Sequence, residues 1–356
     1  MKFAHNITKR TSLLALLNLA LLAPIAPIQA ATMNGAGSSA AAPLYNTWAE
    51  AYAKKSGDVL DYKPIGSSGG IKQIKAKEVD FGASDVALSP ADLKKDQLIQ
   101  FPSAISGVVP IVNLPGVKSG ELRLTGDVLA AIFSRQIVSW NDAAITALNP
   151  EISLPKKNIE VIVRQDGSGT TYNYTDYLGK MSKDWQTTYG KNFTINWHKD
   201  VTQVKGSSGI VAALKKTPYS ISYVDYNYVL QDKLSSVQLK NRDGKFLAPT
   251  ADSFAAALNA SQWKSKAMFD EMLTDKPGAN AWPITMGTFV IMPQVTNNPD
   301  KTLAAIKFFT WGFMHGDRFV NHVDLVRLPD AIQARVFKEM TTIVDANGKQ
   351  LRWILE

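Results

Sequence analysis

Residues 159–163 form an extended, largely apolar run that leads straight into Arg164-Gln165-Asp166-Gly167-Ser168-Gly169-Thr170-Thr171, and residues 172–178 after it read as a helix. Strand, small-residue turn and helix start in that order commit the local chain to an α/β unit. The same construction suits an anion. First-turn N–H groups of a helix lack intrahelical partners, and the macrodipole is positive at that end. Gly167 and Gly169 let backbone approach a ligand. Ser168, Thr170 and Thr171 add hydroxyl donors, and Arg164 adds a permanently charged planar fork matched to a tetrahedral oxyanion. Asp166 is spaced to pair with Arg164 and fix its direction. Yet Asp166-Gly167-Ser168-Gly169 is also ordinary turn chemistry with a serine N-cap, so the octet alone leaves both readings open.

Two further turns share the design. Gly35-Ala36-Gly37-Ser38-Ser39 and Gly66-Ser67-Ser68-Gly69-Gly70 are Gly/Ser-rich, and each precedes a helical pattern, the first carrying Leu44, Trp48, Ala51 and Tyr52. Residues 33–43 are read as one small-residue turn. Three such turns in one chain suggest helix N-termini converging on one anion. Between them, residues 59–62 read as a strand. A helix runs through Ile71, Ile74 and Lys75, and Val79-Asp80-Phe81-Gly82-Ala83-Ser84-Asp85 reads as a strand ending in a loop. Ser89-Pro90-Ala91-Asp92 has the cap, proline and first-turn acid of a helix start. Later, helices are expected at 125–132, at 210–214 behind Gly206-Ser207-Ser208-Gly209, and at 304–313; strands are expected at 161–163 and 220–224. Strands and helices alternate throughout, so the class is α/β. Two long apolar strands, 101–112 and 282–292, flank the middle third and are placed to cross between two lobes.

With 356 residues the chain has length for two domains. It has no cysteine, which excludes disulfides, zinc-thiolate sites, thiol catalysis and a lipidated N-terminal cysteine. Lys2, Lys9 and Arg10, an apolar stretch at 13–22 broken by Asn18, and Ile28-Gln29-Ala30 read as a secretory signal peptide cut near Ala30. Export to the periplasm without a lipid anchor follows. The net charge is +8, three of it from that leader. The remaining cations are scattered as doublets such as Lys54-Lys55 and Lys215-Lys216, with no basic-aromatic run for nucleic acid.

Rival patterns are present. Gly35-Ala36-Gly37-Ser38-Ser39-Ala40 fits a dinucleotide G-x-G-x-x-A, but the strand signal before it is poor. Gly66-Ser67-Ser68-Gly69-Gly70 fits the G-x-S-x-G elbow, which would make Ser68 a nucleophile; His198, His315 and His322 lie in no evident motif for it. A Walker loop is absent, and histidines are too few for a transition-metal site. Asp85 is read either as a turn acid or as an acceptor facing a ligand that still carries a proton. Phosphate near neutral pH keeps a proton and sulfate keeps none, so an acceptor-only carboxylate admits the first and repels the second.

Ile65-Gly66-Ser67-Ser68-Gly69-Gly70, the segment 79–85, the octet at 164–171 and Ala281-Trp282-Pro283-Ile284-Thr285 together resemble the periplasmic phosphate-binding proteins of bacterial phosphate ABC transporters. The likeness covers nearly the whole chain after the leader and weakens at 191–205 and near the C-terminus. It implies a two-lobed, type II periplasmic binding-protein fold of the α/β class, hinged on two crossover strands with the ligand in the cleft between lobes. One lobe would comprise 31–112 plus 288–356 and the other 113–287. By position, phosphate contacts fall on Ser39, Ala40 (backbone N–H), Ser67 and Asp85 in the first lobe and on Arg164, Ser168, Gly169 and Thr170 in the second. Asp85 would take the phosphate proton and Asp166 would pair with Arg164. The resemblance further implies a monomer that is not an enzyme, uses no cofactor or metal, and has inorganic phosphate and a membrane ABC permease as its partners. Alternatives are a binding protein for arsenate or a phosphite- or phosphonate-like anion, a secreted serine hydrolase using Ser68, and a secreted or surface adhesin. The chain departs from the family where Ser39-Ala40-Ala41 replaces the usual Thr-Phe-Pro: hydroxyl and backbone donor are kept, the aromatic wall and the helix-starting proline are lost.

Overall fold

The computed structural model describes residues 30–265, 269–316 and 326–354. The expected leader at 1–29 lies outside them, as does His322. Residues Ala31–Glu356 form one compact unit, and the fold is described for that unit alone.

A nine-stranded sheet organises it. Its strands are β1 (Thr32–Gly37), β2 (Val59–Lys63), β3 (Phe81–Ser84), β4 (Leu98–Asn113), β5 (Glu160–Arg164), β6 (Thr202–Val204), β7 (Ser220–Asp225), β8 (Ser235–Ser236) and β9 (Thr285–Pro293). The order is β2-β1-β3-β9-β4-β7-β5-β6, with β8 beside β4. β1, β2 and β3 run parallel, as do β5, β6 and β7. Between these two groups β4 and β9 pair antiparallel. β4 changes partner along its length: residues 98–107 face β9 and residues 108–113 face β7. All of its 16 residues but the last are buried, as in a strand covered on both faces.

The helices that matter for the site are α1 (Ala42–Ser56), α2 (Ser67–Lys75), α3 (Gly169–Met181), α4 (Gly206–Lys216), α5 (Tyr226–Gln231) and α6 (Pro299–His315). Tyr45, Trp48 and Tyr52 share one face of α1 by their helical spacing. They meet α6 edge-on: ring centroids are 5.4 Å apart for Tyr45 and Phe309, 6.0 Å for Trp48 and Phe313, and 5.8 Å for Tyr52 and Phe308. Such pairs contribute about 0.5–1.5 kcal/mol each beyond area burial. Beneath α3, Tyr174 stacks on Tyr223 of β7 with centroids 4.2 Å apart, and Phe133 closes on both. These two aromatic clusters seat the helices whose first turns carry the site.

Three local expectations change. Residues 33–37 are strand β1, not turn. The glycines there serve close packing: a Cβ on Gly35 would stand 2.2 Å from Phe81 Cζ, and one on Gly37 would stand 2.0 Å from the Ala83 carbonyl. Small residues therefore mark a crowded strand that pairs with both β2 and β3. The strand expected from Trp282 begins at Thr285 instead, because Pro283 has no N–H for a ladder and the Trp282 N–H donates to the Ser253 carbonyl. α2 starts at Ser67 rather than near Ile71, with Gly66 as its cap at φ 86°.

Candidate functional site

The carboxyl ends of β1 and β3 in one parallel group and of β5 in the other point toward the middle of β4 from opposite directions, and each hands over to a loop or helix start. This is where parallel α/β sheets place ligands. β1 delivers Ser38, Ser39 and Ala40 to the start of α1; β3 delivers Asp85; β5 delivers Arg164 and the loop that starts α3. The side chains gathered there are withdrawn from solvent: Ser38, Ser39, Ser67, Asp85, Arg164, Ser168, Thr170 and Ser207 are all buried.

Asp85 is the acceptor centre of one side. Ser38 Oγ lies 2.6 and 2.7 Å from its two carboxylate oxygens. Thr288 Oγ1 donates to Oδ1 at 2.8 Å, and Ser67 Oγ donates more weakly to Oδ2 at 3.3 Å. Burial pushes the Asp85 carboxyl above its usual range, against the hydrogen bonds of Ser38 and Thr288, the Arg164 charge and the hydrogen bond of Ser67. Ser38 Oγ also accepts from the N–H groups of Ala40 and Ala41, at 3.1 and 3.3 Å. The neighbouring carbonyls are engaged by α5: Asn227 Nδ2 donates to the Ala40 carbonyl at 2.8 Å and Tyr228 OH to that of Ser39 at 3.0 Å.

Arg164 is the cationic centre of the other side. Its Nε donates to Asp166 Oδ1 at 2.8 Å and one terminal nitrogen pairs with Oδ2. Asp166 in turn accepts the Gly206 N–H at 2.9 Å, which ties this pair to the start of α4. Burial alone would raise the Asp166 carboxyl, but the hydrogen bonds and charge of Arg164 and the Gly206 N–H hold it below the usual carboxylate range. The remaining Arg164 nitrogen is 3.4 Å from Ser207 Oγ. Ser168 is the N-cap of α3, its Oγ accepting the Thr171 N–H at 3.1 Å. Both readings of the octet thus coexist at Ser168, since a capping hydroxyl uses a lone pair and keeps its proton for donation. Gly169 and Thr170 are the first helical residues.

The two sides meet. Ser39 Oγ and Ser207 Oγ are 2.9 Å apart, and the Ser68 N–H donates to the Gly167 carbonyl at 3.1 Å. Gly169 packs so closely on the Asp85 side that a Cβ there would stand 2.4 Å from Ser67 Oγ and 2.7 Å from Asp85 Cβ. The nine residues singled out from the sequence, Asp166 included, therefore lie together. Ser68 sits against Gly167, while His198 faces Asp200 at 3.5 Å and His315 stands beside Trp311.

Sequence reasoning missed Ser38, Thr288 and Ser207. Ser207 carried a signal: Gly206-Ser207-Ser208-Gly209 is a fourth Gly/Ser turn opening a helix. Thr288 carried none, for it lies inside β9 and reaches Asp85 across 203 residues. Among the described residues no group of three or more His, Asp or Glu could hold a metal, and no helix is long and apolar enough to cross a membrane.

Residues 25–313 match the PBP superfamily domain. The phosphate-binding protein PstS of Haemophilus influenzae is 41% identical over 314 residues, covering 88% of this chain and 94% of that protein. The phosphate-binding protein PstS of Pasteurella multocida is 40% identical over 349 residues, covering 98% of this chain and all of that protein. A solved structure of a high-affinity periplasmic phosphate-binding protein bound with phosphate superposes with a TM-score of 0.68 at 19% identity, covering 86% of this chain and 93% of that one. At that identity the likeness speaks for the two-lobed fold.

Proposed function

This chain belongs to the phosphate-binding proteins of the PBP superfamily, and from that membership we propose that it captures inorganic phosphate in the periplasm and delivers it to the membrane permease of an ABC importer. The observation that carries this reading is the pairing, in one buried cleft, of an anion-favouring side with a single acceptor carboxylate. Arg164, Ser168 and the first-turn N–H groups of α3 supply charge-assisted donors; Ser39 and Ser67 add hydroxyls from opposite, and the Ala40 N–H, which rests on Ser38 Oγ at 3.1 Å, is the backbone donor beside them. Asp85 supplies what a bare anion site would lack, an acceptor for the proton that phosphate retains. Of its contacts the 3.3 Å one from Ser67 is the longest and the easiest for a ligand hydroxyl to replace. Binding then draws 31–112 plus 288–356, as one lobe, onto 113–287, as the other, around β4 and β9.

We read the chain as a binding protein and not an enzyme, because the site collects hydrogen-bond donors and Ser68, the one nucleophile the sequence offered, is set against the Gly167 backbone, its N–H donating to the Gly167 carbonyl. Export of a cleaved, unlipidated monomer belongs to the same reading. Ligand-stripped protein should gain thermal stability with phosphate and not with sulfate; saturation at a hundred times Kd corresponds to about 2.7 kcal/mol. Stabilisation by arsenate or a phosphonate in the absence of any phosphate effect would replace phosphate as the ligand, and turnover of an ester lost on Ser68→Ala would replace the binding reading altogether.

A further inference from the structure

A second carboxyl, Asp225, ends β7 close to the site and takes no part in the chemistry above. Its side chain is fully buried. Ser106 Oγ donates to Oδ1 at 2.8 Å, and Oδ2 has no hydrogen-bond partner among the described residues. Asp225 lines a narrow cavity with Ala40, Tyr45, Ser103, Ser106 and Thr288, and that cavity leaves no room for a water molecule. A carboxylate oxygen buried with neither donor nor water is strongly disfavoured. A carboxylic acid is far less so: one oxygen accepts from Ser106, and the other carries the proton as a neutral group whose unpaired O–H costs less than a buried charge. The contrast with Asp85 is direct. Three hydroxyls converge on the two oxygens of Asp85 and favour its charged form against burial; Asp225 receives one.

We propose that Asp225 is held as a neutral carboxylic acid beside this site, so that it presents no charge of its own next to the acceptor Asp85. The proposal rests on the phosphate reading for its consequence but not for its test. Titratable and charged groups face Asp225 from each element around it: Asp85 at the end of β3, Arg164 at the end of β5, Tyr45 of α1 and Tyr228 of α5. Tyr45 and Tyr228 are themselves pushed up by burial and stay neutral. For Asp225, burial first and then the Asp85 charge push the carboxyl well above its usual range, against Ser106 and Arg164. Environments that drive two nearby carboxyls apart assign them different roles: Asp85 accepts, and Asp225 abstains, so that beside Asp85 and the Arg164-paired Asp166 a multiply charged ligand meets no further negative group.

The test is carbon-13 NMR of the full chain labelled at aspartate carboxyls, with the Asp225 signal assigned by its loss in Asp225→Asn or, if that variant does not fold, in Asp225→Ser. A signal at the protonated position from mildly acidic to neutral pH is expected, and an ionised one overturns the proposal. In titrations with inorganic phosphate and sulfate at neutral pH, Asp225→Asn should keep the phosphate Kd within about threefold of wild type and leave sulfate rejection unchanged. A tenfold change in either direction, or admission of sulfate, would show that Asp225 acts as a charge. Wild-type protein that binds no phosphate would sink the functional reading while leaving the NMR result to judge Asp225.

Discussion

Gly169→Ala isolates the contact on which closure of the site depends. An added Cβ meets Ser67 Oγ at 2.4 Å, Asp85 Cβ at 2.7 Å and Asp85 Oδ2 at 2.9 Å. Only the serine hydroxyl can rotate away, because Asp85 is held by Ser38 and Thr288. Overpacking of this kind costs about 1–3 kcal/mol, a Kd about five- to 150-fold weaker. The fold itself should not suffer. Gly169 is the first residue of α3, alanine is the better helix former by about 0.5–1 kcal/mol, and separation of the two sides relieves the clash without unfolding. Calorimetric titration with phosphate, beside a thermal scan without ligand, measures both. Gly209→Ala, in the first turn of α4, is the control: its Cβ would meet Val204 Cβ at 3.5 Å, an ordinary contact, so affinity should hold. A Gly169→Ala protein that binds phosphate within about twofold of wild type would mean that the two sides do not press together when the ligand is held.

Asp85→Asn should admit sulfate, measured by sulfate titration, because the amide can donate where the carboxylate only accepts; unchanged rejection would remove Asp85 from discrimination. Burial raises Asp85 in the folded protein, so wild-type rejection of sulfate should weaken on acidification while the pH is still above the usual aspartate range. Arg164→Ala should weaken phosphate binding by more than about tenfold, and unchanged affinity in a titration would place Arg164 outside the site. Asp176, buried, accepts from Lys180, Lys191 and Thr274. Burial would raise it, but those hydrogen bonds hold it below the usual range. Its contribution to stability is therefore complete above the unfolded aspartate value and lost as pH falls through the depressed one. In acid denaturation, Asp176→Asn should be less stable than wild type at neutral pH and converge with it in acid.

Much of this site was readable because its parts are local. Arg164, Asp166, Ser168 and Gly169 lie within one turn of strand-to-helix chain, and their residue types state the chemistry directly. Ser67 and Asp85 follow the same rule at α2 and β3. The α/β class was readable from alternation. The boundaries that misled were set by distant partners. Gly35 and Gly37 look like turn residues until Phe81 and Ala83 are seen against them, and only tertiary packing shows that β1 is a strand. Thr288 and Asp225 sit in strands as unremarkable polar residues; the first matters because Asp85 faces it and the second because its Oδ2 has no hydrogen-bond partner among the described residues. Ser207 was within reach, since its turn repeats the pattern of the other three, but only the fold brings α4 to Arg164.

The most direct measurement is calorimetric titration of protein stripped of ligand by unfolding and refolding, first with phosphate and then with sulfate. One-to-one binding of phosphate at micromolar Kd or tighter, about −8 kcal/mol or better, with sulfate silent, is the expected result. Silence towards phosphate in demonstrably refolded protein, or equal binding of both anions, would contradict a site built from Arg164 and α3 on one side and the acceptor Asp85 on the other.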